Sequence, residues 1–244
     1  MSTIGNLYDN VYDKLCGRHP YLYPWHFQWL ATKEIYSDFR RILPDVVGKL
    51  LDVGCGDKPY KAWLHPEKVE HIGIDVYPGS QVDFVIESDQ NYPFTDNEFD
   101  LVLCTQVLEH TADLNKTLQE IHRVLKLNGL LVLSVPFIYN EHGAPSDYRR
   151  FSIYGIQNLF KANYEFLEVK YQGGIGSTTG LLLLSWIQQN MNLYKPTRFL
   201  KALLLPVWII FCFFINVLSY LFDKIDQTNS FYNNVFAVVR KKCD

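Results

Sequence analysis

The sequence predicts an α/β protein built on a doubly wound sheet of seven strands. Three observations carry that expectation. Five short apolar runs fall within fewer than a hundred residues, polar helix-length segments separate them, and two more strand-like runs follow towards the end of the chain.

Residues 6 to 43 set aromatics and aliphatics at mixed helical spacing: Tyr8, Val11, Tyr12 and Leu15, then Phe27, Leu30, Ile35 and Phe39. With "RHPYLYPWH" between the groups, two short helices are expected ahead of the main fold. From Lys49 the pattern changes to "LLDV", "HIGID", "VDFVI", "FDLVLC" and "GLLVLSV". These runs are rich in Val, Leu and Ile without strict alternation, as strands buried on both faces of a parallel sheet are. "LNKTLQEIHRVLKLNG" places Leu114, Leu118, Ile121 and Leu125 on one helical face, with Asn128 and Gly129 as its stop. A turn-rich loop, "PFIYNEHGAPSDYRRFS", leads to the helix "SIYGIQNLFKAN", which Ser152 caps. "YEFLEVKYQ" and "NNVFAVVRKK" are the sixth and seventh strands, separated by a long insertion. The expected divisions are a helical cap over 1–45, a core over 46–172, the insertion over 173–231, and the last strand and C-terminus over 232–244.

Composition narrows the partners. A formal net charge of −3 does not suit a protein that binds by neutralising nucleic-acid phosphates, so no nucleic acid is expected. The five cysteines stand singly, with no CxxC pair. Neither a disulfide framework nor a zinc site is expected, no metal is expected, and a reducing, cytoplasmic compartment fits. "MSTIGNLYDNVYDKL" is polar and acidic where a secretory leader would be basic and then apolar.

The chemistry gathers at "LLDVGCGDKPY". Gly54 and Gly56, leaving the first strand, let the backbone approach a nucleotide-like ligand, and Pro59 suits the start of the next helix. Asp75 ends the second strand 21 residues after Gly54, where an acid accepts hydrogen bonds from both ribose hydroxyls. Asp52 puts a second carboxylate in the turn. A pyrophosphate would be repelled by it, and a dinucleotide fingerprint wants glycine where Pro59 stands. The cationic end of S-adenosyl-L-methionine is instead attracted, so that cofactor is expected over NAD. An NAD-dependent oxidoreductase and a non-catalytic cofactor-binding scaffold are the alternatives.

Five ordered segments, "LLDVGCGDKPY", "HIGIDVYP", "NYPFTDNEFDLVLCTQVLEH", "LQEIHRVLKLNGLLVLSVP" and "DYRRFSIYGIQNLF", resemble class I S-adenosylmethionine-dependent methyltransferases of the small-molecule, type 11-like branch. The resemblance covers residues 45 to 172 and the last strand. It implies a Rossmann-like sheet, mostly parallel with an antiparallel last strand. It also implies that Asp52, Gly54 and Gly56 form the methionine-side turn, that Asp75 binds the ribose, and that Gln106 and Val107 line the methionine side, with their neighbours Cys55 and Val76 as further cofactor-binding candidates. The acid expected at the adenine amine falls at Ser88, with Asp89 beside it as the candidate. The family's third glycine falls at Lys58, whose charge must point away from a sulfonium.

Methyl transfer from a sulfonium is an in-line displacement in which alignment and desolvation do much of the work. A base is needed when the acceptor arrives protonated, as an alcohol or phenol does. His142, in the loop after the fifth strand, is the preferred base. His110, in the "LEH" common to the resembling family, reads first as a structural or cofactor-shell residue and second as a base. Glu141, Asp147, Arg149 and Arg150 share the loop of His142 and are candidates to orient an acceptor, or else pair locally on a solvated loop.

The insertion carries "ALLLPVWIIFCFFINVLSYLF", 21 residues without a charge. As a helix it would be roughly 32 Å long, enough for a bilayer core of about 30 Å. Lys195, Arg198 and Lys201 precede it. Strands six and seven as sheet neighbours rule out a single crossing. A hairpin in one leaflet, two crossings and a soluble packing helix stay open, the first being preferred. The expected protein is a methyltransferase, monotopic or peripheral on the inner face of a membrane through residues 175–229. It would act on a small-molecule or lipid-linked acceptor, with O-methylation favoured.

Overall fold

The computed structural model describes residues 3–88, 90–193 and 203–243. Two helices come first, α1 (Thr3–Cys16) and α2 (Trp29–Ile42), as the aromatic spacing predicts. Between them β1 (Gly17–Arg18) and β2 (Tyr21–Leu22) make a small antiparallel ladder. The main strands are β3 (Gly48–Val53), β4 (Val69–Asp75), β5 (Phe84–Val85), β6 (Phe99–Thr105), β7 (Leu125–Pro136), β8 (Tyr164–Gln172) and β9 (Asn234–Lys241). They form one sheet in the order β5-β4-β3-β6-β7-β9-β8. β5, β4, β3, β6 and β7 pair in parallel, while β9 runs antiparallel to both of its neighbours.

The apolar runs lack alternation because both sheet faces are covered: Leu50, Leu51, Val102, Leu103, Val132 and Leu133 are all buried. After β3 the chain adds β4 on one side and later β6 on the other, so strand order reverses at β3. In such sheets the crevice beyond the strand ends at that reversal is where ligands bind.

Two helix expectations change. α3 (Leu114–Val124), capped by Asp113 accepting from the Lys116 N–H, ends five residues before Gly129. Leu125 already belongs to β7, paired with Phe99, and Asn128 takes its left-handed φ inside the strand. Sheet pairing thus overrides the helical spacing of Leu125. After Pro59 only a single 3-10 turn forms, Lys61–Trp63, because Pro66 disfavours helical backbone at His65 and the chain must turn into β4. α4 (Ile153–Phe160) begins as expected, with the Ser152 hydroxyl accepting from the Gly155 N–H at 3.1 Å.

The chain divides into two compact units, Ser37–Phe137 with Glu141–Gln172 and Asn234–Asp244, and Met1–Tyr36 with Ile138–Asn140 and Gly173–Asn233. The first holds the sheet. In the second, the insertion supplies α5 (Ile175–Leu193) and α6 (Leu205–Asp223) and shares a core with the N-terminal residues: Tyr12, Cys16, Leu184, Leu205, Trp208 and Cys212. The cap and insertion that the sequence separates are therefore one body. α5 and α6 approach closely at Gly176 and Gly180, where an added Cβ would lie 2.1 Å from the Ser219 carbonyl and hydroxyl oxygens respectively.

The long apolar run is not uniform in its surroundings. Its polar exceptions face inward: Asn216 is fully buried and donates to the carbonyls of Pro24 (2.7 Å) and His26 (2.9 Å). Its apolar side chains Val207, Ile210, Phe214 and Leu218, spaced three to four residues apart, are each more than half exposed. Lys195, Arg198 and Lys201 lie outside the described residues.

Candidate active site

β3 delivers the chain into the glycine turn. Gly54 has φ 68° and sits where a Cβ would come within 2.4 Å of Val107 Cγ2, so only glycine fits without moving the neighbouring strand exit. Gly56 has φ 49°, and a Cβ there would meet nothing within 4 Å. The turn therefore leaves open space beside a bare backbone. Lys58, at the position of the family's third glycine, takes the same left-handed conformation with φ 49°. Its side chain is buried, and Nζ donates to Asp83 Oδ2 and, at 3.1 Å, to the His71 carbonyl. Burial alone would raise the Asp83 carboxyl, but the Lys58 ammonium and the Gly73 N–H outweigh it and hold it low. The extra cation is thus spent away from the open side of the turn, as a sulfonium ligand requires.

Asp75 ends β4 with each carboxylate oxygen fixed by backbone. Oδ2 accepts from the Gly56 N–H and Oδ1 from the Tyr77 N–H, both at 2.9 Å. It lines a cleft with Gly54, Val76, Ile86, Tyr92 and Val107. Ser88 and Gln90 line the same cleft, while Asp89 lies outside the described residues.

Three expected contacts are redirected. Asp52 is buried and its Oδ2 lies 3.1 Å from His71 Nε2, so its carboxylate faces the strand layer rather than the cleft, and burial raises its pKa. Cys55 is buried as well, its thiol pushed up to about 12, and it acts by packing under the turn. Gln106 has φ 55° and spends its amide inward, donating to Ser134 Oγ (3.1 Å) and Asn234 Oδ1 (2.8 Å). From there Asn234 donates to Gln172 Oε1 and Gln172 to Asp38 Oδ2, each at 2.6 Å. A buried amide relay ending in a carboxylate thereby sets the backbone at the exit of β6.

Just past that exit, His110 and His142 come together although 32 residues separate them, with Nε2 atoms 3.2 Å apart. His110 also lines the cleft. Glu109 Oε1 stands 3.8 Å from His110 Nε2 and 3.9 Å from His142 Nε2. Glu109 is fully buried, neither of its carboxyl oxygens is hydrogen-bonded to another residue, and burial lifts its pKa to about 8.

Residues 51–133 match the family described as "Methyltransferase domain". The likeness is to a methyltransferase domain, over those residues of the chain. The uncharacterized methyltransferase YcgJ of Bacillus subtilis is 27% identical over 113 residues, covering 41% of this chain and 42% of that protein. The probable methyltransferase PMT6 of Arabidopsis thaliana is 31% identical over 109 residues, 39% of this chain and 18% of that protein. The matches thus span less than half the length of these curated relatives. Among solved structures, YcgJ superposes with a TM-score of 0.51 at 17% identity, covering 90% of this chain and 100% of that one. An S-adenosylmethionine dependent methyltransferase from Mesorhizobium loti reaches 0.54 at 14%, covering 87% and 100%. These two show the shared fold.

The methyltransferase domain fits S-adenosyl-L-methionine on its own geometry: a bare turn at Gly54 and Gly56, an anchored acid at Asp75, and an apolar wall at Val76 and Ile86. Three of the four loop residues expected to orient an acceptor are used internally. Arg150 makes a two-pronged pair with Asp147, Nη1 to Oδ1 and Nη2 to Oδ2, which holds the Asp147 carboxyl well below its usual range. Arg149 donates to the carbonyls of Thr111 and Ala112. Glu141 is exposed. Glu109 is the residue that spacing and motif do not single out: it stands in view inside "VLEH", but its significance depends on His142 folding back to meet it.

Proposed function

We propose that the protein transfers a methyl group from S-adenosyl-L-methionine to an oxygen atom of an amphiphilic acceptor at a membrane surface, such as a lipid-linked sugar or an isoprenoid-tailed ring. The observation that carries this reading is the reversed polarity of α6, which buries Asn216 and Ser219 and turns Val207, Ile210, Phe214 and Leu218 outward. A helix in contact with water shows the opposite arrangement, whereas one lying against acyl chains shows this one. α6 is 19 residues long with mean hydropathy 2.2, enough to cross a bilayer by length and composition. The chain enters α5 from β8 and leaves α6 into β9, neighbours in one sheet, which favours a hairpin in one leaflet over a single crossing. Four of the five cysteines are buried and all are free, in keeping with the inner face of a membrane.

The bound donor supplies an already activated methyl group. Asp75 would hold its ribose, the bare backbone of Gly54 and Gly56 its methionine side, and Ser88 and Gln90 would flank its base. An oxygen acceptor must lose a proton or have its charge compensated, and the His110–His142–Glu109 group on the cleft wall is suited to that task.

Labelled methyl from the donor is expected to enter a lipid extract and not an aqueous one; labelling confined to the aqueous extract overturns the amphiphilic acceptor. The double variant Phe214→Glu/Leu218→Glu removes apolar area worth about 1.5–3 kcal/mol per side chain. It should co-sediment with anionic vesicles at least about tenfold less well while binding S-adenosylhomocysteine normally. Unchanged sedimentation would remove α6 from the membrane contact. His142→Asn is expected to slow turnover severalfold in single-turnover assays while sparing cofactor affinity.

A further inference from the structure

The group formed by Glu109, His110 and His142 has the geometry of a metal centre. The three separations, 3.2 Å between the Nε2 atoms and 3.8 and 3.9 Å from each to Glu109 Oε1, define a triangle. The point equidistant from its corners lies about 2.1 Å from each, the length of a zinc–imidazole or zinc–carboxylate bond, about 2.0–2.2 Å.

Proton placement agrees with the distances. His110 Nδ1 lies 2.5 Å from the Ser146 carbonyl oxygen, which can only accept, so Nδ1 carries the proton and Nε2 presents a lone pair. His142 Nδ1 faces Asp147 Oδ2 at 3.5 Å, and that oxygen also accepts the His142 backbone N–H at 2.8 Å. A carboxylate behind an imidazole in this way orients metal-ligating histidines. A proton shared between the rings would satisfy the histidines and still leave both oxygens of a fully buried Glu109 without a donor from any other residue. A divalent cation meets all three demands together.

The surrounding chain is built to hold this arrangement. Ser146 supplies the carbonyl behind His110, Asp147 the carboxylate behind His142, and the Tyr148 N–H donates to the Glu109 carbonyl at 2.9 Å. Arg150 pins Asp147 in turn. Gly143, with φ 72°, lets the loop close on the His110 ring, since a Cβ there would lie 3.1 Å from Cε1. Three consecutive residues thus each support one member of the group, which explains why Asp147 and Arg150 are unavailable to an acceptor.

We propose that Glu109, His110 and His142 bind a first-row divalent transition metal, Zn²⁺ being the best match to the donor set, with the remaining coordination open towards the cleft that His110 lines. Binding of the ion stands on these residues alone. Its role, to take the acceptor oxygen and favour its deprotonated form, rests on the methyltransferase reading.

The test uses the full chain after dialysis against a chelator, titrated calorimetrically with Zn²⁺ and followed spectroscopically with Co²⁺ as a coloured substitute. One equivalent is expected to bind. Affinity should fall at least about tenfold in His142→Asn, at a partly exposed loop position, and in Glu109→Gln, and by a comparable factor in Asp147→Asn through the lost support of His142. Absence of a stoichiometric ion, or equal affinity in His142→Asn, overturns the site. S-adenosylhomocysteine titrated into the same sample separates the two readings. Its normal binding in a chain that takes up no Zn²⁺ overturns the metal site and leaves the methyltransferase reading standing; Zn²⁺ uptake without any methyl transfer supports the site and sinks that reading.

Discussion

Asp75→Ala is expected to weaken S-adenosylhomocysteine binding by about 1–3 kcal/mol, roughly fivefold to 150-fold, in a calorimetric titration. The loss has two sources. The carboxylate would no longer accept from the ribose, and the Gly56 and Tyr77 N–H groups, each now held at 2.9 Å, would lose the acceptor that shapes the turn. Asp75 is only partly buried, so the fold should survive the change. Asp75→Asn keeps one acceptor oxygen and should fall between the two. An affinity equal to that of the unaltered protein would take Asp75 out of the site.

Asp38→Ala is expected to cost about 2–4 kcal/mol of stability, read as a lower urea midpoint at unchanged slope. Asp38 lies in α2, nearly inaccessible, and accepts from Lys170 Nζ and Gln172 Nε2 at 2.6 Å each and from Arg41 at 3.2 Å. Removing it strands the buried Gln172 amide. Lys170 and Arg41 stay partly exposed and can rehydrate, which keeps the cost below that of a fully buried ion pair. The relay through Asn234 to Gln106 would also lose its terminal acceptor, so a weaker cofactor response should accompany the lost stability. An unchanged midpoint would mean that the relay is ornamental.

The sheet was legible because buried parallel strands impose a local signature. Runs such as "LLDV" and "FDLVLC" are apolar on both faces wherever the fold places them, and the turn at Gly54 demands a positive φ that glycine meets most cheaply. The same local logic put Asp75 at a strand end facing the cleft. It misdirected Asp52, whose place in the turn suggests attraction for a cation, because only the register with β4, which sets Asp52 against Gly73 two residues from His71, shows that His71 on the same sheet face claims its carboxylate. Gln106 failed for a similar reason: its partners Ser134 and Asn234 are 28 and 128 residues away in sequence.

Helix ends were the weakest local reading. Leu125 continues a helical face by spacing, yet pairing with Phe99 claims it for β7. A residue that fits both periods is decided by whichever neighbour it finds.

By itself the sequence determined the α/β alternation, the glycine turn with an acid at the end of the next strand and the apolar character of the insertion, all of which follow from spacing over a few residues. Tertiary structure decided which groups meet. It joined the insertion to the N-terminal residues, hid the polar side of α6, turned Lys58 away from the cleft, and brought His142 back onto Glu109 and His110. The physical reason is the same in each case. A buried charge or amide is tolerated only with a partner, and the chain finds that partner in three dimensions, at sequence separations over which no periodicity carries information.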